Sequence, residues 1–81
     1  MNITLGKLVD YEGCANELTG FGFGSNTWDI IVHNEVINLL RNHADKETIL
    51  DQTYNYDNEE TIEEVQAVLI NYNIINEEDV F

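Results

Sequence analysis

The side chains in this sequence with the most chemistry to offer are carboxylates, and they are clustered. Glu60, Glu63 and Glu64 occupy neighbouring positions on one face if residues 61–72 are helical, with Cβ atoms about 5–6 Å apart. Asp57 and Glu59 extend that group at its start, and Glu77, Glu78 and Asp79 form a second one. A solvated acidic face gives no single carboxylate the burial that tunes a general acid or base. Such a face instead attracts cations, above all Arg and Lys side chains on another protein.

Nucleophiles and metal ligands are few. Cys14 lies between Glu12 and Glu17, whose charges raise a thiol pKa and make a poor nucleophile. His33 and His43 belong to no His-x-x-x-His or Cys-x-x-Cys spacing, so no zinc site is expected. Asp51, Thr53, Asn55 and Asp57 alternate like calcium-loop ligands, but Tyr56 stands where that loop needs Gly and Ile62 where it needs Glu. Gly20-Phe-Gly-Phe-Gly24-Ser25 has the glycine spacing of a phosphate loop without its lysine. With no Ser/His/Asp or Cys/His constellation, the chain reads as a non-enzyme that needs neither cofactor nor metal. Phe21 and Phe23 read either as core rings or as a plug that inserts into a partner. Trp28, Tyr54 and Tyr56 are the aromatics suited to anchor an interface wherever they are exposed; Trp28, heading an apolar stripe, is expected to be buried.

The elements that must position these groups follow from periodicity. Ile3 to Val9 predicts a short strand, and Asp10 to Asn16 a turn or a single helical turn interrupted by Gly13. Leu18 to Gly24 alternates Gly and Phe, as a strand with both rings on one face or as a loop carrying two aromatic plugs. Trp28, Val32, Val36, Leu39, Leu40 and His43 recur at helical spacing and predict a helix over 27–43. The β-branched run Ile30-Ile31-Val32 leaves open a strand over 27–33 followed by a shorter helix. Residues 47–56 alternate Thr48, Leu50, Gln52, Tyr54 and Tyr56 and predict a second strand, with Tyr54 and Tyr56 on one face. A capping box, Thr61 with Glu64, opens a helix over 61–72 whose stripe is Ile62, Val65, Val68, Leu69 and Tyr72. Residues 76–81 form an acidic tail ending in Val80 and Phe81. The expectation is one α+β domain over 1–81, with short antiparallel strands packed against two main helices.

Composition limits the partners. The 81 residues carry 16 acidic and 3 basic side chains, a formal net charge of −13. Direct nucleic-acid binding is disfavoured, because phosphate contacts need clustered Lys and Arg, and anionic membranes are disfavoured for the same reason. All three bases, Lys7, Arg41 and Lys46, precede residue 47, while residues 47–81 hold ten acids and no base. Like charges packed this way repel, so stability alone does not account for them. The expected partner is a basic, Arg/Lys-rich protein surface, one that binds nucleic acid or belongs to a nuclease. A homodimer through Phe21–Phe23 or Val80–Phe81 is also open. One cysteine, no long apolar run and no signal-like N-terminus predict a cytoplasmic protein.

In size, charge and pattern the chain resembles the small acidic proteins that phages and mobile elements use against host defences, such as anti-CRISPR inhibitors and other DNA mimics. The resemblance rests on Asp57, Glu59, Glu60, Glu63, Glu64, Glu77, Glu78 and Asp79 and covers no alignable motif. It implies an inhibitor that occupies the nucleic-acid groove of a host nuclease complex. Colicin-type immunity proteins, small acidic domains that neutralise basic toxin nucleases, share the same physics. Glu64-Val-Gln-Ala-Val-Leu-Ile-Asn-Tyr72 also looks like the last helix of acyl carrier proteins. In that resemblance Ser25 would carry the prosthetic arm, although Gly24-Ser25-Asn26 lacks the family's flanking Asp and Leu.

Overall fold

Short polar side chains set where helices begin in this chain. The computed structural model, which describes residues 9–80, has four α-helices, α1 (Tyr11–Leu18), α2 (Thr27–Arg41), α3 (Lys46–Thr53) and α4 (Glu59–Asn71), and such side chains cap all of them but α3. Asp10 caps α1 by accepting the Gly13 N–H at 2.9 Å. A Cβ on Gly13 would collide with that same carboxylate, so the glycine within the helix makes room for its own cap. Asn26 caps α2 through the Asp29 N–H at 3.1 Å, and Asn58 caps α4 through the Glu60 N–H at 2.8 Å. The start of α4 therefore precedes the expected Thr61–Glu64 capping box, and Thr61 lies inside the helix.

The α+β expectation is overturned, because the described residues are all-helical and contain no strand. The strand expected over 47–56 is α3 and the turn after it. Its buried side chains are Ile49, Thr53 and Tyr56, spaced by four and then three residues, which is the helical repeat. Thr48 and Tyr54, which the alternation put on one face with Leu50 and Gln52, are exposed while the other two are half-buried. Lys46, Glu47, Leu50 and Gln52 are good helix formers, and that preference outweighs the β-formers among them. The strand expected over 3–9 lies, except for Val9, outside the described residues, and Val9 belongs to no element.

Helix ends are equally well defined. After α2 and after α4 the chain turns left-handed at a single residue, His43 (φ 54°) and Asn73 (φ 63°). Each turn closes with the same pair of bonds, Ala44 N–H to the Leu39 carbonyl with His43 to Leu40, and Ile74 to Leu69 with Asn73 to Ile70. This is the Schellman arrangement, more often built on glycine. His43 also stacks on Tyr11, ring centroids 4.3 Å apart.

Each helix packs on the next in chain order, and α4 closes back on α1. The shared core draws Cys14, Ala15 and Leu18 from α1 and Val32, Val36, Ile37 and Leu40 from α2. Ile49 comes from α3, Val65, Val68 and Leu69 from α4, and Ile74 and Ile75 from the segment beyond. Tyr72 adds a lateral tie, its phenol donating to the Glu17 carboxylate at 2.7 Å, which raises the phenol pKa. The tail is not extended: Glu77–Asp79 makes one 3-10 turn. The Asp79 carboxylate accepts the Asn76 N–H at 2.8 Å and pairs with Lys46 at 3.3 Å, which fastens the tail to the start of α3. Those contacts hold the Asp79 carboxyl below its usual range, the Asn76 N–H first among them.

Candidate acidic interface on α4

Because α4 buries Val65, Gln66, Val68 and Leu69, its opposite face points outward by helical geometry, and Glu59, Glu60, Glu63 and Glu64 are all exposed on it. Asp57, just before the helix, is exposed, as are Glu77 and Glu78 beyond it. Among the described residues the one ion pair is Lys46–Asp79, so no salt bridge between described residues reaches the carboxylates on α4. Asp79 is the exception among the eight expected binding carboxylates, half-buried and committed to the tail.

Two shallow clefts flank Glu63. One, of about 220 Å³, lies between Tyr54 and α4 and is lined by Tyr54, Glu59, Ile62, Glu63, Gln66 and Val80. The other, of about 360 Å³, lies between α4 and the tail and is lined by Glu63, Gln66, Ala67, Ile70, Asn71 and Glu77. Both therefore combine apolar side chains with carboxylates, a pattern suited to a long cationic side chain with an apolar stem. Gln66, 7% exposed, lines both. Its burial is not legible in the sequence, because a glutamine within an acidic, apolar-striped helix reads as surface.

The aromatic candidates separate. Tyr54 is 55% exposed beside the acidic face. Trp28, expected in the core, is 51% exposed, and its indole N–H donates to the Asn55 carbonyl at 2.7 Å. That bond brings the start of α2 against the turn carrying Tyr54. Ile30 and Ile31 are exposed nearby on α2. The stripe of α2 is rotated from the expected one, with Asp29, Val32, His33, Val36, Ile37 and Leu40 inward.

Tyr56 is withdrawn from any interface: it is 4% exposed and hydrogen-bonds His33. The His33 Nε2–H donates to the Leu18 carbonyl at 2.6 Å, which can only accept, so Nδ1 accepts the Tyr56 hydroxyl proton. Burial lowers the His33 pKa and raises that of Tyr56. Phe21 and Phe23, also expected as contact residues, are half-buried around that imidazole, Phe21 stacked and Phe23 edge-on. Gly24 (φ 58°) turns the loop that delivers them.

Asp29, 2% exposed, accepts from Asn26 at 3.1 Å and from the Asp57 N–H at 2.8 Å, joining the start of α2 to the approach of α4. Cys14 is fully buried, its thiol pKa pushed up to about 12 by burial first and then by Glu17 and Asp10. Among the described residues no three His, Cys, Asp or Glu side chains converge as metal ligands, and no helix is long and apolar enough to cross a membrane. No protein-family model, curated protein or solved structure matches the chain.

Proposed function

We propose that the protein is a non-enzymatic inhibitor that docks the acidic α4 face onto a basic, nucleic-acid-binding surface of another protein, a nuclease or its complex, in the cytoplasm. The observation that carries this reading is an exposed row of carboxylates on one helix, with no ion pair to it among the described residues, beside the exposed Tyr54 ring. The row supplies long-range attraction and competes with phosphates, while the ring supplies the apolar contact that charge alone lacks. Neutralisation of a basic toxin nuclease would use the same surface, and the identity of the captured protein separates the two roles.

The test is capture from a host lysate on immobilised protein, with elution by duplex DNA. Glu60→Lys, Glu64→Lys and Glu78→Lys together reverse three exposed charges outside the two clefts. Supporting results are recovery of a nucleic-acid-binding protein, its release by DNA, and at least about a tenfold loss of affinity in the triple variant. Recovery that neither DNA nor charge reversal diminishes would sink the reading.

A second reading has one observation in its favour. Ser25 is exposed directly before the α2 cap, and the described residues form helices and no strand, as an acyl-carrier-like protein modified on serine would require. Intact mass after co-expression with a phosphopantetheinyl transferase decides it; an unmodified chain removes it.

A further inference from the structure

The imidazole of His33 is 4% exposed, and two rings of one loop lie against it. Phe21 stacks on it with centroids 5.4 Å apart, while Phe23 meets it edge-on at 4.7 Å and reaches Tyr56 at 6.0 Å. Those rings are the loop's main hold on the body. Among the described residues no side-chain hydrogen bond ties 20–25 to a helix, and the backbone bonds at its ends are local, Phe21 to Leu18 and Asn26 to Phe23. At Gly22 and Gly24 there is open space where a Cβ would stand, so the backbone packs on nothing there. A cleft of about 240 Å³ beside the rings is also lined by Ile30 and Ile37 of α2. The imidazole meanwhile is bonded in a way that only its neutral form satisfies. The Leu18 carbonyl takes Nε2–H and the Tyr56 hydroxyl gives its proton to Nδ1, with no other partner for that hydroxyl among the described residues. A proton arriving on Nδ1 meets another proton and no acceptor.

We infer that residues 20–25 form a proton-operated lid: a proton taken by His33 from solvent lifts Phe21 and Phe23 off the imidazole, uncovers Ile30 and Ile37, and leaves the helices packed. This device is independent of any docking by α4. The groups around His33 do not absorb the charge in place. Tyr56, from the turn after α3, points its proton at the ring. Asp29, one turn earlier on α2, is committed to Asn26 and the Asp57 N–H, and Glu17, beside Leu18 on α1, is committed to the Tyr72 phenol. The loop brings no charge, only phenyl rings. Their faces favour a cation but offer the new N–H nothing to bond, whereas water does once they lift. The lid yields before the body because moving it breaks ring contacts alone, while any other route to Nδ1 separates helices from a shared core. Burial lowers the imidazole pKa in the closed form, and an uncovered imidazole titrates near 6.5. The lid is therefore shut above about pH 6.5, and below it the ratio of open to closed rises by up to about tenfold per pH unit.

The experiment is NMR of the full chain, ¹⁵N- and ¹³C-labelled, between pH 7.5 and 5. The ring nitrogens of His33 report its protonation, and Overhauser contacts of Phe23 with Tyr56 and of Phe21 with His33 report the seat of the lid. The expected result is loss of those contacts with the same midpoint as the His33 titration, while the Val68 and Leu69 amides in α4 stay protected from exchange. His33→Gln keeps a donor for Leu18 and an acceptor for Tyr56 but takes no proton, so the contact of Phe23 with Tyr56 should persist across the range. Tyr56→Phe removes the bond that favours the neutral imidazole, and it should move the midpoint to higher pH; this variant serves as the control should His33→Gln not fold. Rings that stay seated on a protonated imidazole, or on one still neutral at pH 5, overturn the lid. So does loss of protection in α4 together with the ring contacts, which would make the event unfolding of the whole molecule. Release that is unchanged in His33→Gln, or a midpoint unmoved in Tyr56→Phe, assigns the event to another group and overturns it as well.

Discussion

His33 is a residue through which pH acts on this fold. Both imidazole nitrogens are engaged in the neutral form, one donating to the Leu18 carbonyl and one accepting from Tyr56. Protonation puts a hydrogen on Nδ1, where the Tyr56 hydroxyl proton already points, and places a charge among three aromatic rings. The folded-state pKa is therefore below the ordinary 6.5, and the unfolded chain binds the proton first. Stability from this group is fully present above about pH 6.5 and is lost as pH falls below it toward the folded-state value. Urea melts between pH 7.5 and 5.5 should show this decline, with a slope of at most about 1.4 kcal/mol per pH unit. His33→Phe should flatten the profile over that window while lowering stability throughout, because Leu18 and Tyr56 lose their partner. A decline of equal steepness in His33→Phe would assign it to other groups.

At the scale of elements, the tail is the piece whose attachment can be tuned on its own. Asp79 closes the 3-10 turn through Asn76 and ties it to Lys46 on α3, and Glu77 thereby stands beside α4 as one wall of the larger cleft. Asp79→Asn should speed hydrogen exchange at Asn76 and Val80 while leaving the Leu69 and Val68 amides in α4 unchanged. Uniform acceleration would mean that the tail and the helices open together. The helices themselves were unequally legible in the sequence. The α4 stripe made that helix readable, and a similar stripe favoured α2, although Ile30-Ile31-Val32 left a strand over 27–33 open. The face of α2 was not, because adjacent apolar residues such as Ile30-Ile31-Val32 and Leu39-Leu40 support several rotations. Contacts distant in sequence, Asp29 to Asp57 and Trp28 to Asn55, hold the observed one. The α3 helix was missed because Thr48 to Tyr56 fits both periods, and only Ile49, Thr53 and Tyr56 reaching a common core decides between them. The acidic face was legible in composition. The burial of Gln66 and the loss of Tyr56 to His33 were not, since both depend on side chains from other helices.

For the molecule as a whole, a net charge of −13 on 81 residues means that folding gathers repulsion which the unfolded chain spreads out. Added salt should therefore stabilise the protein, in contrast to domains held by surface ion pairs. If screening recovers about 1 kcal/mol between 10 mM and 0.5 M NaCl, melting should rise by roughly 4–8 °C. A melting temperature that stays level or falls would show that the carboxylates are already compensated within the fold. The same charge keeps copies of the chain apart, so self-association, if any, should need salt. Cys14 gives this balance a clock. It is the only thiol in the chain, sealed in the contact between α1 and the rest of the core, and its high pKa leaves almost no thiolate at neutral pH. Modification by an alkylating reagent therefore records how often α1 leaves its seat, and a bound partner or added salt would register as a slower reaction at a site neither of them touches.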